Sequence, residues 1–119
     1  MNTINTDKLM EEIEQFVSDR DWNQFHSIKN LSMALSVEAS ELLEIFQWKT
    51  EQQSNEIKLD EKAYQQLEDE AADVFYYLLQ IAKKTNINLE EVLLKKLGKN
   101  KEKYPIEKAK GNSKKYSDF

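Results

Sequence analysis

Four acidic residues fall in two pairs whose spacing could bind a cation. Glu38 and Glu41 stand three residues apart in the segment VEASE, and Glu70 and Asp73 have the same spacing in EAAD. Side chains three residues apart project from one face of an α-helix. Each pair also falls on the stripe of its segment that periodicity assigns to the apolar face. Because carboxylates are rarely buried unless they are paired or bound to a metal, the two pairs predict a metal site.

The ligand types narrow the choice of metal. The chain has no cysteine and one histidine, which excludes thiolate sites and argues against a typical zinc site. Carboxylate oxygens are hard ligands that suit Mg²⁺ or Mn²⁺. Di-iron helical bundles use Glu-x-x-His pairs, which this chain lacks. We therefore expect Mg²⁺, with Mn²⁺ as the second choice; the competing interpretation of the acids is an ordinary solvated face.

The sequence predicts that nearly the whole chain is helical. Two glycines and one proline interrupt it, and no alternation typical of strands is sustained. Helices are predicted at about residues 7–20, 29–48, 60–85 and 89–104, the last with Asn88 as its N-cap and Pro105 after its end. The polar residues 50–59 are predicted to form a loop. Antiparallel packing of the second and third helices would bring the two acid pairs face to face.

Length and composition indicate a single domain, residues 1–119, with a basic tail from about residue 106. The net charge of −5 argues against duplex nucleic acid as a partner. No apolar run is long enough to span a membrane, and the first ten residues lack the core of a signal peptide, so we expect a cytoplasmic protein without a membrane partner. The second and third helices carry apolar residues on further faces, which predicts a homodimer or homotetramer. These residues are Phe46, Phe75, Tyr76 and Leu79.

The segments VEASELLEIFQW and EDEAADVFYYLL together resemble the MazG-like, all-α nucleoside triphosphate pyrophosphohydrolases. Members of that family carry E-x-x-E on one helix and E-x-x-D on the next, with Mg²⁺ between them. The segments RDWNQFHSIKNL, FQWK and KNKEKYPIEKAKGNSKKY are similar to its dCTP pyrophosphatase branch, so the resemblance covers roughly residues 16–116. It implies an all-α four-helix bundle, assembled as a dimer or tetramer, that hydrolyses a (d)NTP to a (d)NMP and pyrophosphate.

The resemblance also implies roles for individual residues. Glu38, Glu41, Glu70 and Asp73 would be the catalytic Mg²⁺ ligands, one of which orients the attacking water. The implied substrate-binding residues are Trp22, Lys29, Asn30, Trp48, Tyr77, Asn100, Lys103, Tyr104, Lys115 and Tyr116. For the tryptophans the alternative is packing, and for the lysines it is a solvated basic surface. His26 is expected to cap a helix or to form a hydrogen bond rather than to contact the base.

The function favoured by these residues is Mg²⁺-dependent hydrolysis of a nucleoside triphosphate, with a dCTP-like substrate, as house-cleaning of the nucleotide pool. The alternative is a non-catalytic helical oligomerisation or regulatory module that retains the bundle. A di-metal oxidase is a third interpretation, and the lack of histidine argues against it.

Overall fold

The computed structural model describes residues 3–119, and this range contains helices and no strand. Its α-helices are α1 (Thr6–Asp19), α2 (Ile28–Phe46), α3 (Glu51–Asn55), α4 (Glu61–Thr85), α5 (Leu89–Lys103) and α6 (Ile106–Ala109). Short 3₁₀ turns occupy Asn23–Phe25, Ile57–Leu59 and Tyr116–Asp118. The all-α prediction is confirmed, and the four long helices begin and end within two residues of their predicted limits. No helix in the described range has both the length and the apolar character that crossing a membrane requires.

Four helices begin at a residue whose side chain accepts a hydrogen bond from a backbone N–H that has no partner inside the helix. Each cap accepts a hydrogen bond from the N–H three residues ahead, at 3.0–3.1 Å. The caps are Asn5 for α1, Ser27 for α2, Asp60 for α4 and Asn88 for α5. The predicted cap at Asn88 is therefore confirmed.

The segment between α2 and α4 is not the loop that its polar composition predicted. Thr50 Oγ1 accepts a hydrogen bond from the Gln53 backbone N–H at 3.1 Å, and the Gln53 side chain accepts one from the Thr50 N–H at 2.9 Å. This reciprocal pair is a capping box that starts α3, and the 3₁₀ turn Ile57–Leu59 follows it. The loop prediction was wrong because these polar side chains satisfy the backbone locally.

Helices α2 and α4 make the most extensive helix contact in the first compact unit, which ends at Thr85. Its buried apolar residues are Val17, Leu31, Ala63, Leu79 and Ala82. Leu79 was expected to need cover from another subunit, but it is 2% exposed within this chain. That expectation was wrong because α4 packs against α1 as well as α2. Phe46, Phe75 and Tyr76 are half-buried.

An ion pair joins the end of α2 to the start of α4, and the position of the acids along each helix can be measured from it. Lys49 Nζ, just beyond α2, lies 3.6 Å from Asp60 Oδ2, just before α4. Glu38 lies eight residues before the end of α2, and Glu70 lies nine residues after the start of α4. At about 1.5 Å per residue, both stand about 12 to 14 Å from the ion-paired end. The antiparallel pair therefore brings these two acids to the same level, as the sequence predicted.

Residues Asn86–Phe119 form a second compact unit. It contains α5, α6 and the last 3₁₀ turn. Tyr104 holds this unit together locally, because its ring contacts Tyr116 and Phe119 edge-on at centroid distances of 6.0 and 5.6 Å. The assignment of residues 1–119 to a single domain stays a prediction.

Candidate active site

Three of the four predicted acidic ligands converge between α2 and α4. One carboxylate oxygen from each of Glu38, Glu41 and Glu70 lies within 4.8 Å of the other two. Glu38 and Glu70 are half-buried and Glu41 is exposed, so the cluster has one side toward solvent. Two oxygens on one Mg²⁺ are up to about 4.2 Å apart, and two on one Ca²⁺ up to about 5 Å. Oxygens within 4.8 Å of one another are therefore close enough for one divalent ion, and they would need to draw slightly closer around Mg²⁺.

Glu38 is the acid whose ionisation is most perturbed. Its pKa is raised from 4.5 to about 8, first because the neighbouring Glu70 carboxyl favours the protonated form of Glu38. Burial, the Glu41 carboxyl and the charge on Asp73 raise the same pKa further. One oxygen of Glu38 and one of Glu70 are buried, and neither has a hydrogen-bond partner within residues 3–119. Buried carboxylates in this state need either a proton or a cation.

The protein supplies no cation to this cluster from the residues that the structure describes. The ion pairs in that range join Lys49 to Asp60 and Lys83 to Glu14, and neither involves an acid of the cluster. A divalent metal ion would neutralise the repulsion and would use the carboxylate oxygens that lack donors. The donor set of Glu38, Glu41 and Glu70 therefore fits a divalent metal.

Asp73 lies near the cluster but is not one of the three residues whose oxygens converge. Its charge raises the pKa of Glu38. It also raises the pKa of Tyr77, after burial and the charge on Glu38, which are the larger causes. Tyr77, one helical turn after Asp73, thus stands beside the acids. A direct contact between Asp73 and a metal stays a prediction.

The two tryptophans lie in different surroundings. Trp22 is 40% exposed, and its ring meets Phe16 and His26 edge-on at centroid distances of 5.6 and 6.3 Å. Trp48 follows α2 and is 89% exposed, so packing within this chain does not explain it. Both indoles therefore have accessible surface on which a base could stack, and base contact stays a prediction for each.

The residues around the start of α2 have mainly structural contacts. Asn30 Nδ2 donates to the Phe25 carbonyl oxygen at 2.9 Å, and its backbone N–H donates to Ser27 Oγ at 3.0 Å. Lys29 beside it is exposed. Ser27 rather than His26 caps α2, whereas His26 ends the preceding 3₁₀ turn, where its backbone N–H donates to the Asn23 carbonyl oxygen at 3.2 Å. The buried His26 Nδ1 has no hydrogen-bond partner within residues 3–119, so a hydrogen bond from the His26 side chain stays a prediction.

The other predicted substrate-binding residues form a local group in the second unit. Lys103 Nζ lies 4.8 Å from the centroid of the Tyr116 ring, and that ring meets Tyr104 edge-on. The Asn100 carbonyl oxygen accepts the Tyr104 N–H at 2.8 Å, and Lys115 precedes the last 3₁₀ turn. The contact of these five residues with a substrate stays a prediction.

An aromatic series that the sequence did not reveal runs through the first unit. It consists of His26, Trp22, Phe16, Tyr76 and Tyr77, and each ring meets the next edge-on. Phe16, on α1, is 41% exposed although its ring contacts two other rings of the series. The series joins residues of α1, α4 and the α1–α2 connection, so the adjacency of Tyr76 and Tyr77 was its only sign in the sequence.

Comparison with known proteins identifies relatives with the same core. The MazG-like family profile matches residues 33–119, which include all four acids. The dCTP pyrophosphatase 1 proteins of Mus musculus and Homo sapiens are 35% and 36% identical over 105 residues, which are 88% of this chain. This chain spans 62% of the length of those relatives.

A solved structure shows the same fold. The crystal structure of a pyrophosphatase from Archaeoglobus fulgidus DSM 4304 matches with a TM-score of 0.76 and 35% identity. The match covers 88% of this chain and 96% of the other. The resemblance inferred from the motifs is thereby confirmed, and the chain belongs to the MazG-like family.

Proposed function

We propose that this chain is a Mg²⁺-dependent nucleoside triphosphate pyrophosphohydrolase, which converts a (d)NTP to a (d)NMP and pyrophosphate. The observation that carries the proposal is the convergence of Glu38, Glu41 and Glu70, with buried oxygens that have no donor within residues 3–119. The names of the relatives, dCTP pyrophosphatase 1 and a pyrophosphatase, support this reaction. A dCTP-like nucleotide is the first substrate to test, and clearance of unwanted nucleotides is the corresponding cellular role.

The acids would hold the metal and prepare the water. Glu38, Glu41 and Glu70, with Asp73 beside them, offer the anionic oxygens that Mg²⁺ prefers. When bound, the ion would neutralise phosphate charge and make water a better nucleophile. One of the four carboxylates would orient the attacking water and accept its proton. Water is the nucleophile, so the chain need not form a covalent intermediate.

The surrounding residues would bind the nucleotide. Burial and the neighbouring acids raise the pKa of Tyr77, so its hydroxyl stays protonated near neutral pH and can donate to a phosphate oxygen. Trp22 and Trp48 would contact the base. The remaining residues proposed to bind the nucleotide are polar or basic, and they are Lys29, Asn30, Asn100, Lys103, Tyr104, Lys115 and Tyr116. We also propose that the protein is a homodimer or homotetramer in the cytoplasm.

A panel of canonical and modified nucleoside triphosphates, with pyrophosphate release as the readout, tests this function. We expect release in the presence of Mg²⁺, loss of release with a chelator, and recovery when Mg²⁺ is restored. Absence of release from every nucleotide, with Mg²⁺ and with Mn²⁺, would overturn the proposal and favour the non-catalytic oligomerisation or regulatory module.

A further inference from the structure

The aromatic series connects the segment that carries Trp22 with the helix that carries the acids. Phe16 on α1 meets Trp22 at a centroid distance of 5.6 Å and an interplanar angle of 80°. On its other side it meets Tyr76 of α4 at 6.3 Å and 86°. Tyr76 in turn meets Tyr77 at 5.0 Å, and the charges of Glu38 and Asp73 act on Tyr77. Phe16 is therefore the ring that links Trp22 to α4.

The orientation of Phe16 is defined by directed contacts rather than by burial. The Arg20 guanidinium carbon lies 4.0 Å from the centroid of the Phe16 ring, as a cation–π contact. Arg20 also donates to the Phe16 carbonyl oxygen at 2.9 Å through Nη1. With one face on Arg20 and edge contacts to two other rings, the Phe16 ring is held even though it is 41% exposed.

Trp22 itself stands on a short turn. Asp21 before it has φ 53°, in the left-handed region, and the 3₁₀ turn Asn23–Phe25 follows it. The Trp22 backbone N–H donates to the Val17 carbonyl oxygen at 3.1 Å, which fixes the backbone but not the indole. The indole has ring contacts with Phe16 and His26, and 40% of the residue is exposed. The direction of the indole thus depends strongly on Phe16.

We propose that Phe16 is a positioning residue for the nucleotide base, which holds the Trp22 indole at a set place relative to Tyr77 and the acid cluster. This role rests on the proposed function, because it requires a nucleotide whose base meets Trp22. Phe16 acts through Trp22 and not on the reacting atoms, so its loss should weaken binding of the base and leave the chemical step unchanged.

The test compares Phe16→Leu with Phe25→Leu in the full chain. Phe25 is a matched control because it lies in the same connection as Trp22, is 59% exposed, and makes no aromatic ring contact within residues 3–119. For the nucleotide hydrolysed best by the wild type, we expect Phe16→Leu to raise KM about tenfold with kcat within about twofold. Phe25→Leu should retain the wild-type values.

Two further readouts separate positioning from a general structural role. Tripolyphosphate has the phosphates but no base, so its inhibition constant should be the same in Phe16→Leu and in the wild type. In a Trp22→Leu background, Phe16→Leu should raise KM by less than about twofold, because a residue that acts through Trp22 adds nothing when the indole is absent. Phe16→Tyr, which keeps the ring, should restore the wild-type KM.

If the thermal melt shows that Phe16→Leu does not fold, Tyr76→Leu is the substitute variant. It removes the α4 ring that contacts Phe16 and should raise KM by a similar factor. An unchanged KM in the folded variant, a fall in kcat alone, or an equal rise in KM and in the tripolyphosphate inhibition constant would overturn the role of Phe16. In each of those outcomes the wild type still releases pyrophosphate, so the proposed function would stand. Absence of release from the wild type overturns the proposed function, and the role of Phe16 with it.

Discussion

One carboxylate oxygen of Glu38 lies within 4.8 Å of one carboxylate oxygen of Glu70 on the neighbouring helix. Each residue also has a buried oxygen without a partner in the described part of the chain. Two carboxylates at this separation repel each other unless a proton or a cation lies between them. The behaviour of this pair therefore determines how metal, pH and stability are linked in the protein.

Glu70→Gln tests the acid cluster directly. The change keeps the size of the side chain but removes an anionic oxygen, so pyrophosphate release should fall on the order of 100-fold or more while the fold persists. Glu41→Gln should act in the same direction. Glu68→Gln is the matched control, because Glu68 is exposed on the same helix and outside the cluster. Wild-type turnover of Glu70→Gln at saturating Mg²⁺ would reject the cluster as the active site.

The stability of the metal-free protein should fall as pH rises from about 4.5 to about 8. In this interval the folded protein keeps a proton on Glu38, whose pKa is raised to about 8, whereas the unfolded chain releases it near 4.5. The folded state thus binds more protons, so raising the pH favours unfolding. Denaturant melts across this range, with a chelator present, measure the slope.

Glu38→Gln should flatten this pH dependence, and added Mg²⁺ should stabilise the wild type more at the upper end of the interval than at the lower. Equal slopes for the wild type and Glu38→Gln would show that another group is responsible.

Gln80→Leu should make the protein more stable. Gln80 is 7% exposed, and its Nε2 has no hydrogen-bond partner within residues 3–119, although the Tyr76 hydroxyl lies nearby. An unsatisfied buried amide costs about 1–3 kcal/mol, so the free energy of unfolding should rise by about 1 kcal/mol or more. Gln66→Leu, on the exposed side of the same helix, should change it by less than about 0.5 kcal/mol. A loss of stability in Gln80→Leu would mean that the amide has a partner.

We expect at least a dimer in solution. Met33, Val37 and Leu43 of α2 are 55–64% exposed, which leaves apolar surface uncovered on the described chain. Sedimentation equilibrium at micromolar concentration measures the assembly. A monomer under those conditions would contradict this prediction.

The point of attack can be read from an isotope experiment. A base on Trp22 or Trp48 would leave the α-phosphate nearest the acids, so water should attack the α-phosphorus and pyrophosphate should leave. Hydrolysis in water labelled with oxygen-18 should place the label in the nucleoside monophosphate. Label in pyrophosphate would indicate attack at the β-phosphorus, and release of single orthophosphate would indicate a different phosphatase chemistry.

Helical periodicity and the identity of the acids were sufficient to predict much of this protein. The four long helices follow from apolar spacing and from caps such as Asn88, because these are interactions between residues within one or two turns. The i, i+3 spacing of Glu38 and Glu41, and of Glu70 and Asp73, places each pair on one helix face by geometry alone. The motif around these acids also indicated the family, which the comparisons confirm.

Tertiary packing decided what these local patterns left open. It determined which acids converge, because Glu38, Glu41 and Glu70 meet only through the register of α2 against α4, while Asp73 lies outside their contact. It also buried Leu79 within the chain and placed Phe16 between Trp22 and Tyr76. Contacts of this kind join residues far apart in sequence. Their geometry depends on the relative placement of whole helices, which no local spacing encodes.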